Sequence, residues 1–343
     1  SLPGAESVIP RAVLALLVLL TGCSTAADQP EPVTERPPAI VAVSAEGAVV
    51  ADNRAEAFYG LDRSGRELWR DPAAYAGGAD VICQARCPDP VFSGSAEAAD
   101  PEPRSLSGVF AQSDARIRRV LTARDASDAV IVESDGAEKG SLRLIRPSGK
   151  DVRIPLNGAF SWAEDASRTT AVATSGKQAL WFRHDRRGWR QVASDTFDEP
   201  VRSLCASGAT AVVKGERVYV LTGSGKPVPI TTSLPVVAGC AAGTQGLVVY
   251  AYWRDGGGRR FTGISGVDSL GKQTWSREIA DEAQIRAHPS GTTFVITYGG
   301  ATEVIDPAGR TVARHSGTAS AAYTADGELA LLTTEGKLRW LAH

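Results

Sequence analysis

Three kinds of hydrophobic patterning follow one another along the 343 residues. Arg11 precedes nine uncharged residues, Ala12-Val13-Leu14-Ala15-Leu16-Leu17-Val18-Leu19-Leu20. A membrane-spanning helix needs about 20 apolar residues, so this run is too short to cross a bilayer and has the length of a signal-peptide core. Residues 24–38, STAADQPEPVTERPP, hold four prolines and no apolar period. Such a stretch cannot bury enough surface to fold and is expected to be an extended tether. From Ala39 the pattern changes to short strand-length runs, among them Ala39-Ile40-Val41-Ala42-Val43, Ala211-Val212-Val213, Val218-Tyr219-Val220-Leu221, Leu247-Val248-Val249-Tyr250 and Thr293-Phe294-Val295-Ile296. Few segments carry helical spacing of apolar residues, so residues 39–343 read as nearly all β.

These runs are punctuated by a recurring phrase: an apolar pair, a turn ending in Gly, then Lys or Arg, and a Trp four residues after the Gly. It is complete in Leu61-Asp62-Arg63-Ser64-Gly65-Arg66-Glu67-Leu68-Trp69 and in Val267-Asp268-Ser269-Leu270-Gly271-Lys272-Gln273-Thr274-Trp275. Ile305-Asp306-Pro307-Ala308-Gly309-Arg310 keeps the turn with Ala313 in the Trp place, and the turns at Gly149 and Gly225 are weaker copies. Thr333-Thr334-Glu335-Gly336-Lys337-Leu338-Arg339-Trp340 recovers the Trp. The physics is that of a β-hairpin: Asp bonds the backbone of the turn, Gly takes the φ > 0 position, and the aromatic packs where the next strand begins.

The turn glycines set a period. Gly225 to Gly271 is 46 residues and Gly271 to Gly309 is 38. Gly149 to Gly225 is 76, with His184-Asp185-Arg186-Arg187-Gly188-Trp189 midway, and Gly65 to Gly149 is 84, spanning a unit that contains Cys83 and Cys87. A period near 40 with four short strands per unit predicts a single β-propeller over residues 39–343. The count points to about seven blades, with six or eight as alternatives. The tail from Ser320 is short of a unit, and the strand Ala39–Val43 is expected to complete it and close the ring.

The apolar run near the start ends in Leu20-Thr21-Gly22-Cys23, which resembles the lipobox of bacterial lipoproteins. The resemblance implies a signal peptide over 1–22, a lipid on Cys23, a tether over 23–38 and a location on the outer face of the cell membrane. Two acyl chains hold a protein durably where one binds only marginally. LDRSGRELW resembles the tryptophan-docking repeat of the PQQ-like propellers, well at Gly65 and Gly271 and as a periodicity elsewhere. That family includes quinone-dependent dehydrogenases and also cofactor-free envelope scaffolds. The Ala-, Gly- and Arg-rich composition resembles actinobacterial proteins.

Composition narrows the function classes. A net charge of −2 gives no basic face for nucleic acid. Besides Cys23, four cysteines remain, and an even number in an exported chain favours disulfides. Cys83 and Cys87 would close a small loop; Cys205 and Cys240, 35 residues apart in similar phrases, would bridge neighbouring repeats. Zinc is the rival, but the spacing is not paired CxxC and none of the four His residues is near.

No catalytic set is visible. Asp62, Asp268 and Asp306 are explained as turn caps. None of His184, His288, His315 and His343 stands near a nucleophile motif, and Gly256-Gly257-Gly258-Arg259-Arg260 lacks the Lys-Ser/Thr of a phosphate loop, reading instead as a hairpin tip. No cofactor is expected beyond the lipid. Arg beside aromatics at two loops, Arg187, Trp189 and Arg190, then Trp253, Arg254, Arg260 and Phe261, makes the candidate contact residues for a partner. The segment Gly77–Arg104, insertion-like, is a second candidate. The expectation is a non-catalytic binding or scaffold protein with an envelope protein partner. The alternative is an enzyme, a quinone-dependent dehydrogenase or lactonase-like hydrolase, with its site in the central channel.

Overall fold

The computed structural model describes residues 37–72, 80–83, 90–93, 116–125, 127–134, 140–165, 167–222 and 226–341. The expectations for the signal peptide, Cys23 and the tether up to residue 36 fall outside these residues, as do those for Cys87, the Cys83 side chain and the contact segment Gly77–Arg104 apart from 80–83 and 90–93.

The described residues with regular structure are strands, Pro72 excepted, and consecutive strands pair antiparallel into blades. Blade 1 is β1 (Ala39–Ser44), β2 (Gly47–Asp52), β3 (Ala57–Asp62) and β4 (Glu67–Asp71). A two-stranded ladder follows, β5 (Asp80–Cys83) with β6 (Pro90–Ser93). Blade 2 is β7 (Arg116–Asp125), β8 (Asp128–Ser134), β9 (Gly140–Ile145) and β10 (Val152–Leu156). Blade 3 is β11 (Phe160–Glu164), β12 (Thr170–Ser175), β13 (Gln178–Asp185) and β14 (Gly188–Thr196). Blade 4 is β15 (Arg202–Ser207), β16 (Thr210–Lys214), β17 (Val218–Thr222) and β18 (Val228–Pro229). Blade 5 is β19 (Gly239–Gly243), β20 (Gly246–Arg254), β21 (Arg260–Val267) and β22 (Gln273–Ile279). Blade 6 is β23 (Gln284–Ala287), β24 (Phe294–Tyr298), β25 (Ala301–Ile305) and β26 (Thr311–Ser316). Blade 7 has three strands, β27 (Thr318–Tyr323), β28 (Leu329–Thr333) and β29 (Leu338–Leu341).

The first strands of blades 3 to 7 border one another in turn, β27 borders β1, and blades 2 and 3 meet through β14 with β8 and β9, so the described sheets close into a β-propeller of seven three- or four-stranded blades. β5 borders both β1 and β7, which sets the short ladder between blades 1 and 2. Middle strands are buried on both faces, as in β24 and β25, because each sheet packs against a neighbour on either side. Outer strands alternate, as in β22 and β26, where one face meets water. The core is accordingly divided into clusters between blades. Trp181, Ala211, Val213 and Leu221 join blades 3 and 4; Ile264, Ile285, Phe294 and Ile296 join blades 5 and 6.

Ring closure differs from the sequence expectation. Ala39–Val43 does not complete the last blade; it belongs to β1, the inner strand of blade 1, paired with β2 through a tight turn. A local hairpin loses far less loop entropy than pairing across the whole chain. Side chains close the ring instead. Ile40, Val50, Tyr59 and Leu61 pack on Ala322, Ala330, Leu332 and Leu338, and the Ile40 amide donates to Ser320 Oγ at 3.1 Å. At the outer side Arg63 pairs with Glu328, its second bond being 2.8 Å, and stacks over Trp340, whose Nε1 donates to the Arg63 carbonyl at 2.9 Å.

Candidate functional site

In blade 5 the hairpin of β20 and β21 runs beyond its inner strand: β19 starts opposite Tyr250, whereas the hairpin pairs on through Tyr252 with Thr262, Trp253 with Phe261 and Arg254 with Arg260. Asp255 closes the tip. Its Oδ1 accepts from the amides of Gly257 (2.9 Å) and Arg259 (3.0 Å), and its Oδ2 from Arg259 Nε (2.7 Å). The Arg259 bond holds the Asp255 carboxyl below its usual pKa. The glycines there are thus the tip of an ordered hairpin.

Strand alternation sorts the side chains onto two faces. Trp253 and Phe261 share one, their rings 5.9 Å apart and nearly parallel at 9°. Tyr252, Arg254 and Arg260 share the other. Arg260 pairs with Glu282 at 2.7 Å, and the Tyr252 hydroxyl donates to the Ala283 carbonyl at 2.9 Å, tying the hairpin to the connection into blade 6. Burial of that hydroxyl end raises the Tyr252 pKa, while one flank of the ring stays in solvent. Two cavities flank the hairpin. One, about 230 Å³, is lined by Tyr252, Trp253, Arg254, Arg260, Phe261 and Glu282. The other, about 300 Å³, lies between Leu234 and Pro235 and the outer strand at Ser276 and Glu278, with Trp253 over Gly263.

Four of the sequence-predicted contact residues, Trp253, Arg254, Arg260 and Phe261, therefore meet at one place. The other three do not join them. Arg187 and Arg190 are exposed at the β13–β14 turn of blade 3, where Asp185 accepts from the Arg187 amide at 2.8 Å and pairs with Arg190 at 3.2 Å. Trp189 is corrected: it is 2% exposed and packs in the core against Trp162, at 5.6 Å, and His184, at 5.2 Å. It opens β14 on the face turned to blade 2, so its indole has nowhere to go but inward. Cys205 and Cys240 form a disulfide between the inner strands of blades 4 and 5, with Cα atoms 5.8 Å apart.

The turn phrase has the local geometry expected of it. Asp306 Oδ1 accepts from the Ala308 and Arg310 amides at 3.0 and 2.9 Å, and Asp268 Oδ1 from those of Leu270 and Lys272, both at 2.9 Å. Trp275 of blade 5 then docks on the turn of blade 6, donating from Nε1 to the Pro307 carbonyl at 2.7 Å. The phrase at Gly336 joins the second and third strands of its blade, whereas those at Gly65, Gly271 and Gly309 join the third and fourth. Its Trp340 still reaches the neighbouring blade.

One pair escaped the sequence reading. His184 Nε2 lies 2.7 Å from Asp128 Oδ2, both buried, linking blade 3 to blade 2. Their separation of 56 positions hides the pairing from any local pattern. His288 is a turn cap, its Nδ1 accepting from the Ser290 amide at 3.1 Å. Among the described residues, no three His, Cys, Asp or Glu side chains converge as metal ligands.

No family model matches the chain, and no curated protein matches it. Solved structures similar to it include Kluyveromyces lactis Hsv2, 13% identical with a TM-score of 0.37 over 62% of this chain and 70% of that one. The Pan2 WD40 domain of Neurospora crassa is 13% identical, with a TM-score of 0.36 over 65% and 74%. A chain of the mitotic checkpoint complex is 12% identical, with a TM-score of 0.38 over 76% and 85%.

Proposed function

We propose that this chain is a lipid-anchored β-propeller of the PQQ-like-repeat kind on the outer face of the cell membrane, working as a non-catalytic binding or scaffold protein. The anchor rests on Leu20-Thr21-Gly22-Cys23 after its short apolar run. The repeat kind rests on Trp275, which spans from its own strand to the turn of the next blade. The partner is a protein of the envelope, and its seat is the blade 5 hairpin.

The single observation that carries the binding role is the gathering of Tyr252, Trp253, Arg254, Arg260 and Phe261 on a projecting hairpin between two cavities. Trp, Tyr and Arg are the residue types that dominate interface energetics when set at the edge of a pocket. Purification of the tagged, lipidated protein from gently solubilised native membranes tests it. A stoichiometric protein partner, retained by the parent chain and released by Trp253→Ala, is the expected result. A clean protein carrying a metal or chromophore would overturn the reading in favour of a channel enzyme. For the anchor, Cys23→Ser is expected to move the protein from the membrane fraction to the soluble one; retention at the membrane would remove the lipid from the account.

A further inference from the structure

The connection from blade 4 to blade 5 begins a fifth strand on blade 5 and then abandons it. Thr231 lies parallel to the start of β22, its amide donating to the Gly271 carbonyl at 2.8 Å and its carbonyl accepting from the Gln273 amide at 3.2 Å. Gln273 Oε1 secures the next two residues, accepting from Thr232 Oγ1 at 3.0 Å and from the Ser233 amide at 2.8 Å. At Leu234 and Pro235 the chain turns away toward β19. Beyond Gln273 the outer edge of β22 has no strand partner among the described residues. The cavity of about 300 Å³ opens there, alongside Ser276 and Glu278.

A strand edge offers a row of amides and carbonyls that another extended backbone satisfies, while pockets beside it take alternate side chains. The cavity floor suits an apolar one. A Cβ on Gly263 would lie 2.6 Å from Leu234 and 2.7 Å from Trp253, so those two side chains close over a bare glycine. The charge at the mouth is negative. Arg277 is engaged by Glu303 at 2.7 Å and Tyr298 at 3.1 Å, whereas the exposed Glu278 has no ion pair among the described residues.

We infer that blade 5 binds an extended peptide of a partner protein, which adds parallel to β22 in line with Thr231. It places an apolar side chain in the cavity against Trp253 and Leu234 and a Lys or Arg beside Glu278. The inference rests on the partner-binding reading above and names the element that the partner presents.

The test selects binders from a phage-displayed library of random dodecapeptides and follows the best synthetic peptide by hydrogen exchange. Protection of the β22 amides is expected, with an apolar residue and a neighbouring cation shared among the selected peptides. Trp253→Ala is expected to weaken binding at least tenfold. Glu278→Lys, on an exposed edge, should weaken it similarly and be rescued when the peptide's cation is changed to Glu. Selected peptides that protect another element, or that ignore both substitutions, would overturn strand addition. So would an absence of selected peptides together with Trp253 fluorescence responding to soluble peptidoglycan fragments, which would make the cavity a glycan site. If Trp253→Ala releases the native partner while that partner leaves β22 exchange unchanged, the binding role stands and strand addition falls. If peptides protect β22 but no partner copurifies, strand addition stands and the scaffold role falls.

Discussion

Trp275 shows how single residues join neighbouring blades. Its ring lies over two bare glycines, Gly266 of its own sheet and Gly309 of the next blade, where a Cβ would approach to 2.1 and 2.6 Å. Gly309 also has φ of 80°, where L side chains are strained. Gly300, with φ of 75°, carries the same backbone strain but faces nothing within 4 Å. Gly309→Ala is therefore expected to cost about 2 kcal/mol and Gly300→Ala about 1 kcal/mol, the difference being the overlap with Trp275. Urea midpoints of the two variants check this; equal losses would remove the docking contact from the ledger. Glu303 makes a second residue-scale case. The Arg277 bond, with help from Tyr298 and Thr311, holds this buried carboxyl down to about 2. Its folded pKa is below the ordinary value of 4.5, so its contribution is complete above that pH and is lost as pH falls toward 2. The lost amount is about 3 kcal/mol. In Glu303→Gln the fall in stability between those pH values should be shallower by that amount, as read from denaturation at a series of pH values.

The repeated element of the molecule is a hairpin with its own turn chemistry, repeated without its decoration. Asp62, Asp268 and Asp306 cap equivalent turns, and Thr333 does the same from Oγ1, accepting the Lys337 amide at 3.0 Å in a turn that joins different strands. Such phrases mark hairpins reliably, because the hydrogen bonds involved lie within five residues; they do not say which hairpin of the blade is marked. The inner strands carry a covalent device as well. The Cys205–Cys240 bond closes a 35-residue separation, and in the chain-entropy account a loop of that size stabilises by about 4 kcal/mol. The Cys205→Ser, Cys240→Ser double variant is expected to lose that much, and reducing agent should lower the parent's thermal midpoint while leaving the variant's unchanged.

As a whole the molecule is a ring whose last junction is made by packing. Blade 7 reaches blade 1 through the apolar cluster around Ile40 and Leu332 and through Trp340, with no shared strand among the described residues. The exposed Arg63–Glu328 pair adds little, since exposed ion pairs are screened by water. Trp340→Ala is thus expected to cost about 2 kcal/mol and to speed amide exchange in β1 and β27 ahead of blades 4 and 5. Uniform acceleration around the ring would show that no junction is weaker than another.

Strand content, the hairpin turns and the propeller were legible in the chain. Each depends on contacts within a few residues, repeated at a period that stacking preserves. Four contact residues of blade 5 were legible for the same reason, since Trp253, Arg254, Arg260 and Phe261 flank one turn. Only the tertiary structure decided what depends on neighbours distant in sequence. It buried Trp189, paired His184 with Asp128, kept Ala39–Val43 in the first blade and laid Thr231 against β22. For Trp189, His184 and Thr231 the partner lies in another blade or across a connection, and Ala39–Val43 is kept from the last blade by its local pairing with β2. A side chain's local pattern records that it is apolar or polar, while the packing of adjacent blades determines which face is covered.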